Sequence, residues 1–191
     1  MLSFLVNRSS LALGRLSGPP AGMRLSRGLE RLCSLKNGFR ALDDALLVLP
    51  AETAGPLPGL AGWNAQTGWR RWFDLDDRLT FFAMDAVLRQ FAVDAHGAVV
   101  RFDPVTEEVT PFAADLDAWA ERVISGEAAQ HLARAWQIMH RPLLVEERLV
   151  PSALGSGLTP MHLADGMELL GERAGAHVET SREYEVFDLA W

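Results

Sequence analysis

The sequence predicts an α+β domain with a central mixed or antiparallel sheet and helices packed beside it. Three observations predict it. Between Leu79 and Phe112, four short segments rich in Phe and Val alternate with turn formers such as Asp94-Ala95-His96-Gly97 and Asp103-Pro104. Directly after them, Leu116, Trp119, Ala120, Val123 and Ile124 recur at helical spacing behind Asp115, a good N-cap, with Gly126 just past the end. The chain has 191 residues, of which 49% are hydrophobic and 23% charged, so it can bury one sizeable core.

The remaining elements follow in chain order. Residues 1–27 are rich in Arg, Ser and Gly, lack acidic residues and contain Gly18-Pro19-Pro20. They are expected to be a flexible or accessory segment, or a transit-type leader, ahead of a domain over 28–191. Arg27 to Leu35 reads as a short helix, Asn37-Gly38 as a turn, and Ala45 to Leu49 as an apolar segment closed by Pro50. Gly59 to Phe73 is expected to be a helix with Leu60, Trp63, Thr67 and Arg71 on one face. The four strands are placed at Leu79 to Met84, Arg89 to Val93, Ala98 to Phe102 and Glu108 to Phe112, as an antiparallel meander. After the Leu116 helix comes a second one carrying Ala128, Leu132, Ala135, Trp136 and Met139, ending before Pro142. A bend at Gly155-Ser156-Gly157, a segment around Leu158 to Leu163 and a last strand from Tyr184 to Leu189 complete the reading.

Charge and cysteine usage narrow the function classes. From Asp43 onward eleven basic residues face twenty-four acidic ones, a formal charge of about −13. Each phosphate contact needs a cation, so such a body is unsuited to nucleic acid and suited to a basic partner. Cys33 is the only cysteine, which excludes an intrachain disulfide and fits a reducing cytoplasm. No apolar run approaches the roughly 20 residues that cross a bilayer, because acids interrupt the longest ones.

Motifs for catalysis are missing. The five histidines are dispersed without metal-ligand spacing, Gly155-Ser156-Gly157 continues into no phosphate loop, and no serine lies in a Gly-x-Ser-x-Gly elbow. The expectation is a protein without catalytic residues, metal or cofactor. The densest carboxylate group is Asp74-Leu75-Asp76-Asp77, an ordinary solvated turn unless a partner uses it. Trp72 precedes it, and an exposed indole flanked by carboxylates is a reasonable hot spot. Asp74, Asp76, Asp77 and Trp72 are therefore the candidate partner-binding residues, while Trp119 and Trp136 sit on apolar faces and belong to the core.

An ordered series of short motifs adds to this reading. The run L-K-N-G-F-R-A-L-D-D-A-L-L-V-L-P from Leu35 to Pro50 resembles the opening of SUKH superfamily proteins, the Smi/Knr-type group with its bacterial immunity-protein branch. Trp63-Asn64, Phe81-Phe82-Ala83-x-Asp85, Gln90-Phe91, Asp103-Pro104, Trp119 and Arg148-Leu149-Val150-Pro151 resemble later motifs of that superfamily in the same order. Met84, Val87-Leu88 and Gly155-Ser156-Gly157 depart from its pattern, so the resemblance transfers a fold and not a contact surface. It implies a single α+β domain without catalytic machinery that binds and occludes a cognate toxin domain, often a basic nuclease or a deaminase. The alternative it implies is an intracellular regulatory scaffold with no toxin partner.

Overall fold

The computed structural model describes residues 1–15, 20, 22–126, 141–151 and 157–187, with side chains through 175. Six strands form one sheet in chain order: β1 (Phe39–Ala41), β2 (Leu46–Val48), β3 (Thr80–Asp85), β4 (Gln90–Val93), β5 (Val99–Asp103) and β6 (Glu108–Ala113). Every neighbouring pair is antiparallel, so the sheet is an antiparallel meander rather than a mixed one. Strands β7 (Glu147–Pro151) and β8 (Leu158–His162) make a separate antiparallel hairpin. Around the sheet lie α1 (Leu2–Asn7), α2 (Arg27–Leu35), α3 (Leu60–Trp63), a 3-10 turn at Trp69–Trp72, α4 (Leu116–Ser125) and α5 (Leu163–Phe187).

Turn chemistry sets the meander. Asp94 Oδ1 accepts the His96 and Ala98 amides at 2.8 and 2.9 Å, and Gly97 supplies the positive φ of 91° that closes the β4–β5 hairpin. Asp103 Oδ1 accepts the Val105 amide at 3.0 Å to begin the β5–β6 turn. Gly38, with φ of 69°, lies so close to Pro50 that a Cβ there would stand 2.8 Å from the Pro50 nitrogen. Asn37-Gly38 is a turn because no other residue fits that approach.

Helices or aromatic turns cover both faces of the sheet. On one, Trp119 of α4 meets Phe82 and Phe91 edge-on, with centroids 5.0 and 5.9 Å apart. On the other, Trp69 contacts Phe81 at 5.1 Å and Phe102 at 6.1 Å, and Phe73 contacts Phe102 at 5.0 Å. This two-sided burial explains why β3 and β4 read as continuous apolar runs. Asp115 caps α4 by accepting the Ala118 amide at 2.8 Å, and Ser26 caps α2 in the same way with the Leu29 amide.

The structure corrects four sequence expectations. Residues 2–14 are not accessory. Leu2, Leu5 and Val6 are buried in the core, and Leu2 N–H donates to Asp117 Oδ1 of α4 at 3.0 Å. The following segment lines the outer edge of β1: Ser10, Leu13 and Gly14 amides donate to the carbonyls of Arg40, Gly38 and Asn37 at 2.8 to 2.9 Å. Three apolar residues on one face of a short helix suffice for docking although the surrounding composition looks like a leader.

The helix expected from Gly59 to Phe73 breaks after Trp63. The Trp63 carbonyl, which a continuing helix would use, accepts the Trp69 indole N–H at 2.9 Å instead. Tyr184 to Phe187, expected as a strand, continue α5, whose inner face carries Leu163, Met167, Leu170 and Ala174 at helical spacing. β1, which the sequence reading missed, is only three residues long. The expected helix over 128–139, the first two residues of the 155–157 bend and residues 188–189 of the last strand lie outside the described residues.

Thermal unfolding of two variants checks this assembly. Trp119 is fully buried, so Trp119→Ala is expected to cost about 3–5 kcal/mol of a total near 5–15 kcal/mol. Leu5 is 2% exposed, so Leu5→Ala is expected to cost about 2–5 kcal/mol. A Leu5→Ala protein that melts with the parent would return residues 2–14 to the role of an accessory arm.

Candidate functional site

Several polar residues of the quoted motifs hold the fold together. Asn64 Oδ1 accepts the Phe81 amide at 2.8 Å, and Asn64 Nδ2 donates to the carbonyls of Phe81 and Leu60, each at 2.8 Å. It stands where β2 has ended and β3 would otherwise present an open edge. Trp63 Nε1 donates to Gln90 Oε1 at 3.1 Å, and Gln90 Nε2 donates to the Leu88 carbonyl at 2.9 Å, all in buried surroundings. Asn37 Oδ1 accepts the Ala51 amide at 2.7 Å. These side chains are spent on structure.

The acidic turn is a mixed-charge corner. Asp74, Asp76 and Asp77 are exposed, as expected. Arg78, however, holds Asp76 through three contacts of 2.7 to 3.1 Å, and Gln66 Nε2 donates to Asp77 Oδ1 at 2.6 Å. Beneath the turn the buried Arg70 donates to the carbonyls of Leu79 and Asp76 at 3.2 and 2.9 Å, and its guanidinium lies over the Phe81 ring. Arg70 is thus the staple that shapes the turn. The hydrogen bonds from Arg78 hold the Asp76 carboxyl down, from its ordinary 3.8 to about 2.

Trp72 is only half-exposed. Its indole N–H donates to Glu168 Oε2 of α5 at 2.6 Å, its ring stacks under Arg71, and the absence of a side chain at Gly171 makes room for it. Arg71 also pairs with Glu168 at 2.8 Å. The structure therefore brings Trp72 and the three aspartates onto one corner, with Arg70, Arg71 and Arg78 among them. Beside it, an open cleft of about 470 Å³ is bounded by Asn64, Gln66, Arg70, Asp77, Leu79 and Thr80.

Two further regions carry charge that sequence reasoning missed. Arg148 of β7 is fully buried, its Nε and Nη2 have no partner among the described residues, and burial pushes its guanidinium down to about 10 against the attraction of Asp44 and Asp85. Asp85 is itself buried and engaged by Arg89 at 2.6 Å and by the Val87 and Arg89 amides. Burial raises the Asp85 carboxyl, and Arg89 opposes that. Second, the β5–β6 hairpin exposes Val105, Val109, Glu107 and Glu108 together, and Glu107 adopts a left-handed φ of 59°. The alternation of β6 places Val109 on the Phe102 side, a signal visible in the sequence once the turn at Asp103-Pro104 is fixed.

Among the described residues no group of three His, Cys, Asp or Glu side chains is placed to hold a metal ion, and no helix is long and apolar enough to cross a membrane. Comparison with protein-family models, with curated proteins and with solved structures finds no match to this chain.

Carbon-detected NMR titration tests the geometry of the acidic turn. A carboxyl lowered on folding contributes stability above its ordinary value, and that contribution is lost as pH falls through its folded value. The Asp76 contribution should therefore be complete above pH 3.8 and disappear toward pH 2. In Arg78→Met the Asp76 midpoint should move back up toward 3.8. An unmoved midpoint would contradict the assigned ion pair.

Proposed function

We propose that this chain is a non-catalytic protein-binding module, an immunity-type protein that neutralises a bacterial toxin of the nuclease or deaminase type in the cytoplasm by binding it directly. The observation that carries the reading is the acidic body, about −13 from Asp43 onward, on an α+β scaffold. A nuclease grips phosphate with a basic surface, and an acidic protein that covers this surface competes with the substrate for it. Asp74, Asp77 and the half-exposed Trp72 contribute to the contact, with Asp76 held by Arg78.

The partner is sought by co-purification from the native host, and its association is then timed at two ionic strengths. Opposite charges raise encounter rates by about 10- to 1000-fold, and salt screens them. Asp74→Lys with Asp77→Lys should slow association several-fold and lessen its salt dependence without lowering the melting temperature. Recovery of no basic toxin, together with no protection of cells that express neighbouring toxin genes, would remove the proposed function.

A further inference from the structure

We propose that the buried Arg148 guanidinium is a binding site for one small monovalent anion, of formate or halide size, held on its Nε and Nη2 edge. This site is separate from the acidic turn and does not depend on the function proposed above. Arg148 is fully buried, and its only hydrogen bond among the described residues runs from Nη1 to the Glu147 carbonyl. Nε and Nη2 are buried and unpartnered among the described residues. These two nitrogens share one side of the planar guanidinium, the side that grips an anion with two donors. Buried polar atoms are hydrogen-bonded as a rule, so two orphan donors on one buried cation point to a bound ion.

The carboxylates around Arg148 are already engaged elsewhere. Leu149 N–H donates to the Ala86 carbonyl at 2.8 Å, and Ala86 packs with Ala45, so β7 meets the β1–β2 and β3–β4 turns. There Arg40 pairs with Asp44 at 3.2 Å and Arg89 with Asp85 at 2.6 Å. Glu147, next in the chain, is held by Arg141 at 2.6 Å. Three arginines thus meet two aspartates, and Arg148 is the one without an ion pair among the described residues. Arg40 adds to the positive excess, because its own Nε is buried and unpartnered and its charge repels that of Arg148. Burial lowers the Arg148 guanidinium only to about 10, so it stays a cation at neutral pH. A buried cation without a counter-charge is costly, and one monovalent anion balances the cluster. Entry to so buried a site needs local opening. The β1–β2 turn, where Leu42, Asp43 and Asp44 hold left-handed φ of 55 to 66°, stores strain beside the cluster.

The test melts the full chain in sodium gluconate, with formate or chloride replacing gluconate at constant ionic strength. Relative to Arg148→Met, which cancels general salt effects, the parent should gain about 5 °C, saturably, at about one hundred times the dissociation constant of the ion. The ion that saturates at the lower concentration identifies the occupant. Arg78→Met, which removes an exposed arginine, should keep the whole gain. The Arg148 Nε–H resonance of the 15N-labelled parent, followed in the same titrations, should shift to a plateau, a readout that stands even where Arg148→Met does not fold. No plateau in that resonance with either ion, or an equal gain in Arg148→Met, would overturn the site.

Discussion

The pairing of the Asn64 amide with both backbone groups of Phe81 is the interaction on which this structure turns. β2 ends at Val48, opposite Ala83, and one more bond reaches β3 from the Leu49 amide to the Phe82 carbonyl. Beyond that point β3 runs back to Thr80 with β4 on one side and no strand on the other. An orphaned buried backbone amide or carbonyl costs about 1–3 kcal/mol, so the edge needs a substitute. Asn64 supplies one acceptor and one donor in the spacing a strand would offer. It thereby holds the segment that carries Trp63 and Trp69 against the sheet, and the aromatic cluster around Phe102 assembles on that support.

Much of the fold was legible because its signals are local. The strand periods of residues 79–112, Asp115 as cap and the α4 spacing each appear within about ten residues, and each element stands within one or two residues of its expected place. The misreadings came from tertiary competition. The spacing of residues 59–73 is helical, but a tryptophan six residues downstream takes the Trp63 carbonyl and breaks the helix. The N-terminal arm opens a segment with several Arg and Ser and no acidic residue, yet three side chains on one face of α1 are buried in the core beside α4. The long α5 was readable from Leu163, Met167, Leu170 and Ala174, but the turn formers ahead of it pointed to alternating strands.

The candidate site was legible in composition and not in pairing. Sequence places three aspartates together at residues 74–77 but does not reveal that Arg70 staples the turn from below or that Arg78 neutralises Asp76. Conversely, Val109 reads as an ordinary strand residue, and the structure leaves it 43% exposed opposite the buried Phe102. Surface charge acts through what remains unpaired, and pairing is a tertiary property. The acidic balance of the body remains, because among the three aspartates of the turn only Asp76 is held in an ion pair.

Native-state hydrogen exchange at the Phe81 amide tests the central claim most directly. In Asn64→Ala the Phe81 N–H loses its acceptor, so its exchange should quicken by far more than that of the β4–β5 ladder amides of Ala92 and Val100. Global stability should fall by about 1–3 kcal/mol. A Phe81 amide that stays as protected in the variant as in the parent would contradict the account of Asn64 as the substitute strand.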